Sequence, residues 1–249
     1  MTTDPDIQTL REMVAGSDNI VIFTGAGIST ESGIPDFRSP GGIWTTNQPV
    51  SFQDFIASEE ARRETWKRKI ETDKTLLSAE PNAGHLAVAK LVIQGKVRKV
   101  ITQNIDGLHQ AAGVPDDAII EIHGNTTYAA CLDCKKRYEL EPIKVAFEAD
   151  GTLPVCEDCG GHVKTATISF GQPMPEAEMI QAQDDSMSCD LFIAIGSSLV
   201  VYPAAGLPVL AKQSGAKLVI LTRDPTELDG IADLTLNLEI GPTLSAVLD

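Results

Sequence analysis

Short apolar runs recur along the chain, each closing in small or polar residues. Ile20-Val-Ile-Phe23 leads into Thr24-Gly-Ala-Gly27, Val97–Ile101 into Thr102-Gln-Asn104, and Ile119–Ile122 into His123. Two later runs, Leu191–Ile195 and Leu218–Leu221, lead into Gly196-Ser-Ser198 and Thr222-Arg-Asp224. Such runs, with helical stretches between them, predict a parallel sheet covered by helices on both faces. Ahead of the first run, Asp4-Pro5 supplies an N-cap and a first helical residue. Ile7, Leu10 and Val14 then form one apolar stripe, and Gly16 can end that helix. In sheets of this kind ligands collect beyond the carboxyl ends of the strands, so the polar strand ends predict one shared cleft.

Two stretches interrupt the pattern. Residues 41–84 carry helical and loop signals, including the charged segment Glu59–Lys69, and residues 129–164 hold little continuous hydrophobicity. They predict a small domain, inserted into a large domain of residues 1–40, 85–128 and 165–249. The second stretch contains Cys131-Leu-Asp-Cys134 and Cys156-Glu-Asp-Cys159, four of the 5 cysteines. Two C-x2-C knuckles offer zinc a closed tetrahedron of thiolates with no position for water, which points to a structural metal. A disulfide framework would need an oxidising compartment, and nothing else in the chain indicates one. His162 reads as a solvated loop histidine rather than an alternate ligand, and Cys189 as a core residue.

Composition narrows the partners. The net charge of -15, from 20 basic and 35 acidic residues, argues against a nucleic-acid surface and favours basic protein or peptide partners. No apolar run approaches the roughly 18 residues of a membrane span, and Met-Thr-Thr-Asp-Pro-Asp is no signal region. A cytoplasmic protein without membrane attachment is the expectation.

The strand ends carry the candidate chemistry. Thr24-Gly-Ala-Gly27-Ile28 directly after a strand suits close backbone approach to a phosphate, aided by a following helix N-terminus. It is not the dehydrogenase fingerprint, because Thr30 occupies the third glycine position. Asp36-Phe37-Arg38 suits a polar ligand with a flat ring, though a surface loop with a local ion pair fits the same residues. Gln103, Asn104 and Asp106 are costly to bury without partners, and a ligand bearing hydroxyls and an amide would satisfy them. Asp106 could equally start a helix, in which His109 would be structural. His123 can serve as a general base near neutral pH, and its convergence with the other strand ends raises it above a structural histidine.

The stretches GAGISTESGIPDFRSPGGIW, TQNIDGLHQAAG, EIHGN, the paired CxxC, SFG and GSSLVVYPAA resemble, in order, the sirtuin family of NAD-dependent protein-lysine deacylases. The resemblance runs from residue 19 to residue 240. It implies an α/β fold: a Rossmann-like parallel sheet with helices on both faces, plus a small domain made of a zinc module and a helical module. It implies that Gly25, Ala26, Gly27 and Ile28 cradle the NAD pyrophosphate. Asp36, Phe37 and Arg38 would lie on a cofactor loop, and Gln103, Asn104, Ile105 and Asp106 at the nicotinamide ribose and carboxamide. Gly196, Ser197 and Ser198 would serve phosphate and ribose, with Thr222, Arg223, Glu239 and Ile240 at the adenosine end. An acyl-lysine protein or peptide would lie as a strand between Phe170-Gly171-Gln172 and Val200-Val201. His123, with Asn104, would be catalytic, accepting a proton through the ribose hydroxyls. NAD would be consumed as a co-substrate, giving free lysine, nicotinamide and 2′-O-acyl-ADP-ribose, and one structural zinc would sit on Cys131, Cys134, Cys156 and Cys159.

Departures from the family pattern are Thr222, where asparagine is common, and Gln172, where glutamate is common. Trp66 and Lys69 stand near where desuccinylating relatives carry a tyrosine and an arginine, and lysine lacks arginine's bidentate fork. A neutral acyl group, acetyl above all, is therefore expected. A mono-ADP-ribosyltransferase or a non-catalytic NAD-sensing module on the same scaffold are the alternatives.

Overall fold

The computed structural model describes residues 5–36, 49–76 and 78–248. Its strands are β1 (Ile20–Thr24), β2 (Val97–Thr102), β3 (Ile119–Glu121), β4 (Gly124–Cys131), β5 (Arg137–Tyr138), β6 (Val163–Thr167), β7 (Leu191–Ile195), β8 (Lys217–Leu221) and β9 (Leu234–Leu236). Each of the five apolar runs becomes a strand of one 6-stranded sheet, ordered β3-β2-β1-β7-β8-β9 and parallel throughout. The sixth member, β9, escapes a reading based on apolar runs because it is short and only Leu236 in it is fully buried.

The central strands β1 and β7 are buried at every position. Side chains alternate across the sheet, which fills two separate cores. Ile20 and Ile22 pack with Leu10 and Val14 of helix α1 (Pro5–Ala15), Val88 of α4 (Ala83–Ile93) and Leu244 of α9 (Ile240–Leu248). Val21 and Phe23 face the other way, onto Met179 and Ala182 of α7 (Glu176–Ser188) and Leu207 and Ala211 of α8 (Gly206–Gln213). Each such side chain contributes about 1.5–3 kcal/mol on burial. The chain runs outward from β1 to β3, then returns to β7 and runs outward to β9. The direction of winding therefore reverses between β1 and β7, and the strand ends part there to leave a crevice.

The second sheet, β5-β4-β6, is antiparallel. Helices α2 (Phe52–Ala57), α3 (Glu59–Leu76) and α6 (Leu140–Asp150) accompany it. Its core is small: Trp66 of α3 and Ile143 of α6 close over Ala129, Cys131, Cys156 and Val163. Helix α2 starts with a reciprocal cap, Ser51 Oγ accepting from Asp54 N at 3.1 Å and donating to Asp54 Oδ2 at 2.7 Å. No helix among the described residues is long and apolar enough to cross a membrane.

Candidate active site

Glycine brings the ends of β1 and β7 together. A Cβ on Gly27 would lie 2.7 Å from Gly196 Cα, and one on Gly196, at φ +62, would lie 2.4 Å from Ile28 N. Gly25 N donates to Ile195 O at 3.0 Å and Gly27 N to Gly196 O at 2.7 Å. The glycines thus let two backbones touch, and these N–H groups serve that contact. The next segment is not the α-helical N-terminus expected for anion binding, since Ala26–Ser32 winds as a 3-10 helix.

Beyond this contact opens a cleft of ≈ 800 Å³ of empty space. It brings together Ala26, Gly27, Asp36, Gly196, Ser198, Thr222, Arg223, Glu239 and Ile240, drawn from five separate parts of the sequence. Thr30 and Glu31 line it as well. Glu31 Oε1 accepts from Gly241 N at 2.9 Å, which fastens the start of α9 to the cleft wall. Arg223 Nη2 reaches Glu239 Oε2 at 3.3 Å. That hydrogen bond raises the arginine's pKa, but both groups are largely exposed, so the pair adds little stability. Beside Thr222, Asn237 Nδ2 donates to its carbonyl at 3.2 Å, so a carboxamide stands next to the position that departs from the family pattern.

The end of β2 supplies the polar interior. Asn104 is buried, and its Nδ2 donates to Gly25 O at 3.1 Å and to Ser29 Oγ at 3.2 Å. Ser29 Oγ donates in turn to Asp106 Oδ2 at 2.7 Å. The other oxygen of Asp106 accepts from Leu108 N at 3.0 Å, at the start of α5 (Leu108–Ala111). Asp106 therefore caps the start of α5 with one oxygen and joins the Ser29 cluster with the other. Gln103 links strand ends: its Oε1 accepts from Ser197 Oγ at 2.7 Å. Ile105 O accepts from Thr126 N at 3.0 Å, tying this loop to β4.

His123 lies in the turn between β3 and β4, half-buried, with Nδ1 3.0 Å from Gln103 O. A carbonyl only accepts, so Nδ1 carries the proton and the neutral ring keeps its lone pair on Nε2. Gly124 follows at φ +74, with no room for a side chain against Ala166 O. Glu121 flanks the turn. Burial raises its pKa, while Gln110 Nε2 at 2.8 Å and Asn125 Nδ2 at 2.7 Å donate to it.

A layer beneath the site was not legible in the sequence. His85 of α4 accepts from Asn82 N on Nδ1 at 3.4 Å, which leaves its Nε2–H toward Ser29 Oγ at 3.4 Å. His109 donates to Thr24 Oγ1 at 2.9 Å, and Thr24 passes its own proton to Thr102 Oγ1 at 2.8 Å. The two rings meet edge to face, 5.2 Å apart. Burial pushes the His85 pKa down to about 4 and that of His109 down to about 3. Only the Asn82–His85 spacing, a capping box closed by histidine, could have flagged this layer.

On the other side, Phe170 and Val200 are exposed apolar side chains. Phe170 O accepts from Phe52 N at 2.9 Å and Gly171 O from Gln53 Nε2 at 3.1 Å, so α2 pins this turn. Gln172 turns its Oε1 back to Ser169 N at 3.1 Å. Val201 O receives Ala205 N at 2.8 Å. Phe37 and Arg38 lie outside the described residues. Trp66 and Lys69 both lie on α3. Trp66 is 2 % exposed inside the core of the second sheet, and Lys69 is bound to Asp73, with burial lowering its pKa. Helical spacing put both on the inward face of α3, where packing and ion pairing occupy them.

The four cysteines do converge. Their sulfurs all lie within 4.8 Å of one another, with Cys131–Cys159 and Cys134–Cys156 at 3.5 Å. A zinc tetrahedron with Zn–S near 2.3 Å has edges of about 3.8 Å, so the donor set fits that ion. Each knuckle is a turn, with Lys135 N on Cys131 O and Gly160 N on Cys156 O. The Tyr138 hydroxyl donates to Cys156 Sγ at 3.1 Å and holds that thiol down at about 6, toward the thiolate that a metal requires. His162 contributes no ligand atom to the cluster. Cys189 is buried, as a core residue should be.

Comparison with known proteins gives one family. The model of the Sir2 family matches residues 25–203. The NAD-dependent protein deacetylase 1 of Bradyrhizobium diazoefficiens is 58% identical over 238 residues, 96% of this chain and 93% of that protein. The NAD-dependent protein deacylase 2 of Archaeoglobus fulgidus is 40% identical over 99% of this chain and 96% of its own length. Among solved structures, a Sir2 bound to an acetylated peptide has TM-score 0.87 at 36% identity, with 97% of each chain covered. A Sir2–p53 peptide–NAD+ complex has TM-score 0.86 at the same identity and coverage.

Proposed function

The chain belongs to the Sir2 family, and from that premise we propose how its own residues divide the work. The protein is an NAD-dependent protein-lysine deacylase. It removes acyl groups from lysine side chains and consumes NAD, giving free lysine, nicotinamide and O-acyl-ADP-ribose. Acyl-lysine peptides are its substrates, and its cysteine cluster suits one structural zinc.

NAD, when bound, would supply an electrophilic ribose carbon for the acyl oxygen and nicotinamide as its leaving group. In our reading His123 is the general base. Its Nδ1–H is spent on Gln103 O, so Nε2 is the atom that accepts a proton from the ribose hydroxyls. Asn104, held by Gly25 O and Ser29, fixes the floor on which the nicotinamide ribose rests, and Asp106 takes the carboxamide side. Gly25, Ala26, Gly27, Ile28, Gly196, Ser197 and Ser198 line the phosphate path. Thr222, Arg223, Glu239 and Ile240 hold the adenosine end, where Glu31 and Asp36 also stand. The peptide lies between Phe170–Gln172 and Val200–Val201, on the exposed apolar side chains there. The zinc takes no chemical part, because four thiolates close its coordination. Chemistry and metal are thereby kept apart.

We read residues 1–40, 85–128 and 165–249 as the large domain and 41–84 with 129–164 as the small one. All six strands of the parallel sheet fall in the first set, while α2, α3, α6 and the four clustered cysteines fall in the second. Strands β4 and β6 cross the boundaries at 128/129 and 164/165, which stitches the domains beside His123. We place the protein in the cytoplasm, where thiols stay reduced, consistent with five cysteines free of disulfides. The net charge of -15 disfavours a nucleic-acid partner.

The observation that carries the mechanism is the His123 tautomer fixed by Gln103 O within reach of the strand-end cluster. The test is His123→Ala. Turnover of an acetyl-lysine peptide should fall by about 10²–10⁴, the usual contribution of a general base, while NAD still binds. Retention of more than about a tenth of the wild-type rate would refute the role.

A further inference from the structure

Lys164 is a long cationic side chain buried to 1% exposure on β6. Among the described residues its ammonium meets no carboxylate. Its partners are Thr167 O at 2.5 Å, Thr165 O at 3.3 Å and Thr167 Oγ1 at 3.4 Å. A buried charge without a counter-ion is expensive, so its retention calls for a reason. Burial pushes its pKa down to about 8, as expected for an ammonium facing only neutral oxygens.

The ladder supplies that reason. Strand β6 is an edge of its sheet, with β4 on one side only. Leu132 N donates to His162 O, and two residues on Ala130 pairs with Lys164. Antiparallel pairs alternate between bonded and non-bonded, so Thr165, opposite Ala129, turns its carbonyl away from β4. Thr167 turns the same way, because Ile168 N bonds His123 O and leaves Thr167, opposite Gly124, at a non-bonded position. Both carbonyls therefore point off the free edge into a buried seam, where an orphan acceptor is costly. The Lys164 ammonium answers both.

The inner edge of the same segment is tied to the proposed base. Thr167 pairs with Gly124, Ile168 N donates to His123 O at 2.8 Å, and the chain then leaves as Ser169–Gln172, the proposed peptide platform. Between Gly124 and Ala129 the β4–β6 ladder loses register, so regular pairing does not by itself hold this end of β6. Irregularities of this kind re-aim side chains next to active sites.

We propose that Lys164 is a positioning residue for deacylation, its ammonium clamping the outward carbonyls of Thr165 and Thr167 so that His123 and the platform Phe170–Gln172 keep one relative geometry. This rests on the roles proposed above for His123 and the platform. A misplacement of about 1 Å can cost on the order of 100-fold.

The test compares Lys164→Met, which keeps length and loses the donors, with Lys164→Arg, which keeps them. Steady-state turnover of an acetyl-lysine peptide is measured alongside NAD affinity by calorimetry and zinc content. Lys164→Met should lower kcat/KM for the peptide at least about tenfold, with NAD affinity and zinc content changed less than about twofold. Lys164→Arg should recover most of the loss. Unchanged turnover in Lys164→Met, an equal loss in peptide and NAD parameters, or no recovery by arginine would overturn the proposal. Should the methionine variant not fold, amide exchange in Lys164→Arg decides: a change confined to residues 165–172 supports the clamp, and a uniform change refutes it. Absence of NAD-dependent deacylation by the wild-type protein would instead sink the functional reading itself.

Discussion

The buried imidazoles His85 and His109 should make stability fall steeply with acid, and a single substitution should halve that fall. Both rings are nearly inaccessible, at 0% and 2% exposure. Burial holds their folded pKa values at about 4 and about 3, against about 6.5 when unfolded. Between these values the unfolded chain binds protons that the folded chain refuses, so stability is complete above pH 6.5 and is lost as pH falls. At pH 5 an unfolded histidine sits about 1.5 units below its pKa, and at 1.36 kcal/mol per unit each ring costs about 2 kcal/mol relative to pH 7. That figure barely depends on the folded pKa so long as it lies below 5. The wild-type protein should lose about 4 kcal/mol from the pair over this interval. His109→Gln removes one titrating ring, and its amide can still donate to Thr24 Oγ1. Guanidinium unfolding of the two proteins at pH 7, 6 and 5 measures the difference, and carboxylates common to both cancel. The variant should lose about 2 kcal/mol less than wild type between pH 7 and 5. Equal losses would show that His109 accepts a proton in the folded protein at pH 5, and would refute the burial argument.

Other consequences concern the metal, the acyl group and the glycine contact. Metal analysis should return one zinc per chain, and Cys156→Ser should abolish binding and unfold the second sheet, since such sites supply on the order of 10–16 kcal/mol in isolated fingers; a native disulfide among these cysteines would contradict it. Acetyl-lysine should exceed succinyl-lysine in kcat/KM by on the order of 100-fold or more. Lys69 is already held by Asp73 and Trp66 lies in the core, and an unpaired carboxylate costs several kcal/mol; a preference for succinyl would show that another cation serves the pocket. Gly196→Ala should cost about 1–3 kcal/mol in backbone strain at φ +62, with a clash of its Cβ 2.4 Å from Ile28 N in addition, and should weaken NAD binding measurably by calorimetry. Wild-type affinity in a folded Gly196→Ala protein would show that the β1–β7 contact does not shape the cleft.

Local pattern along the chain was enough to settle some parts of this protein. Five strands were legible because each is a short apolar run ending in polar residues, and β1 and β7 are indeed buried along their whole length. The zinc cluster was legible because two thiol pairs at C-x2-C spacing supply a complete zinc ligand set. Tertiary structure settled what depends on neighbours distant in the chain. The small sheet was invisible because its strands are rich in polar residues, and its core is completed by Trp66 of the distant α3 and Ile143 of α6. Periodicity marks Trp66 and Lys69 as one face of α3, but what such a face meets is set by what packs opposite, here the core of the second sheet for Trp66 and Asp73 for Lys69. The neutral histidines and the unpaired ammonium of Lys164 are likewise products of burial, since the same side chains in water would titrate normally. Gly25 and Gly27 needed Gly196, which lies well over a hundred residues away, before their lack of a Cβ acquired a meaning. Local pattern specifies which segments seek a nonpolar or polar neighbour, and only the assembled fold says which neighbour each one finds.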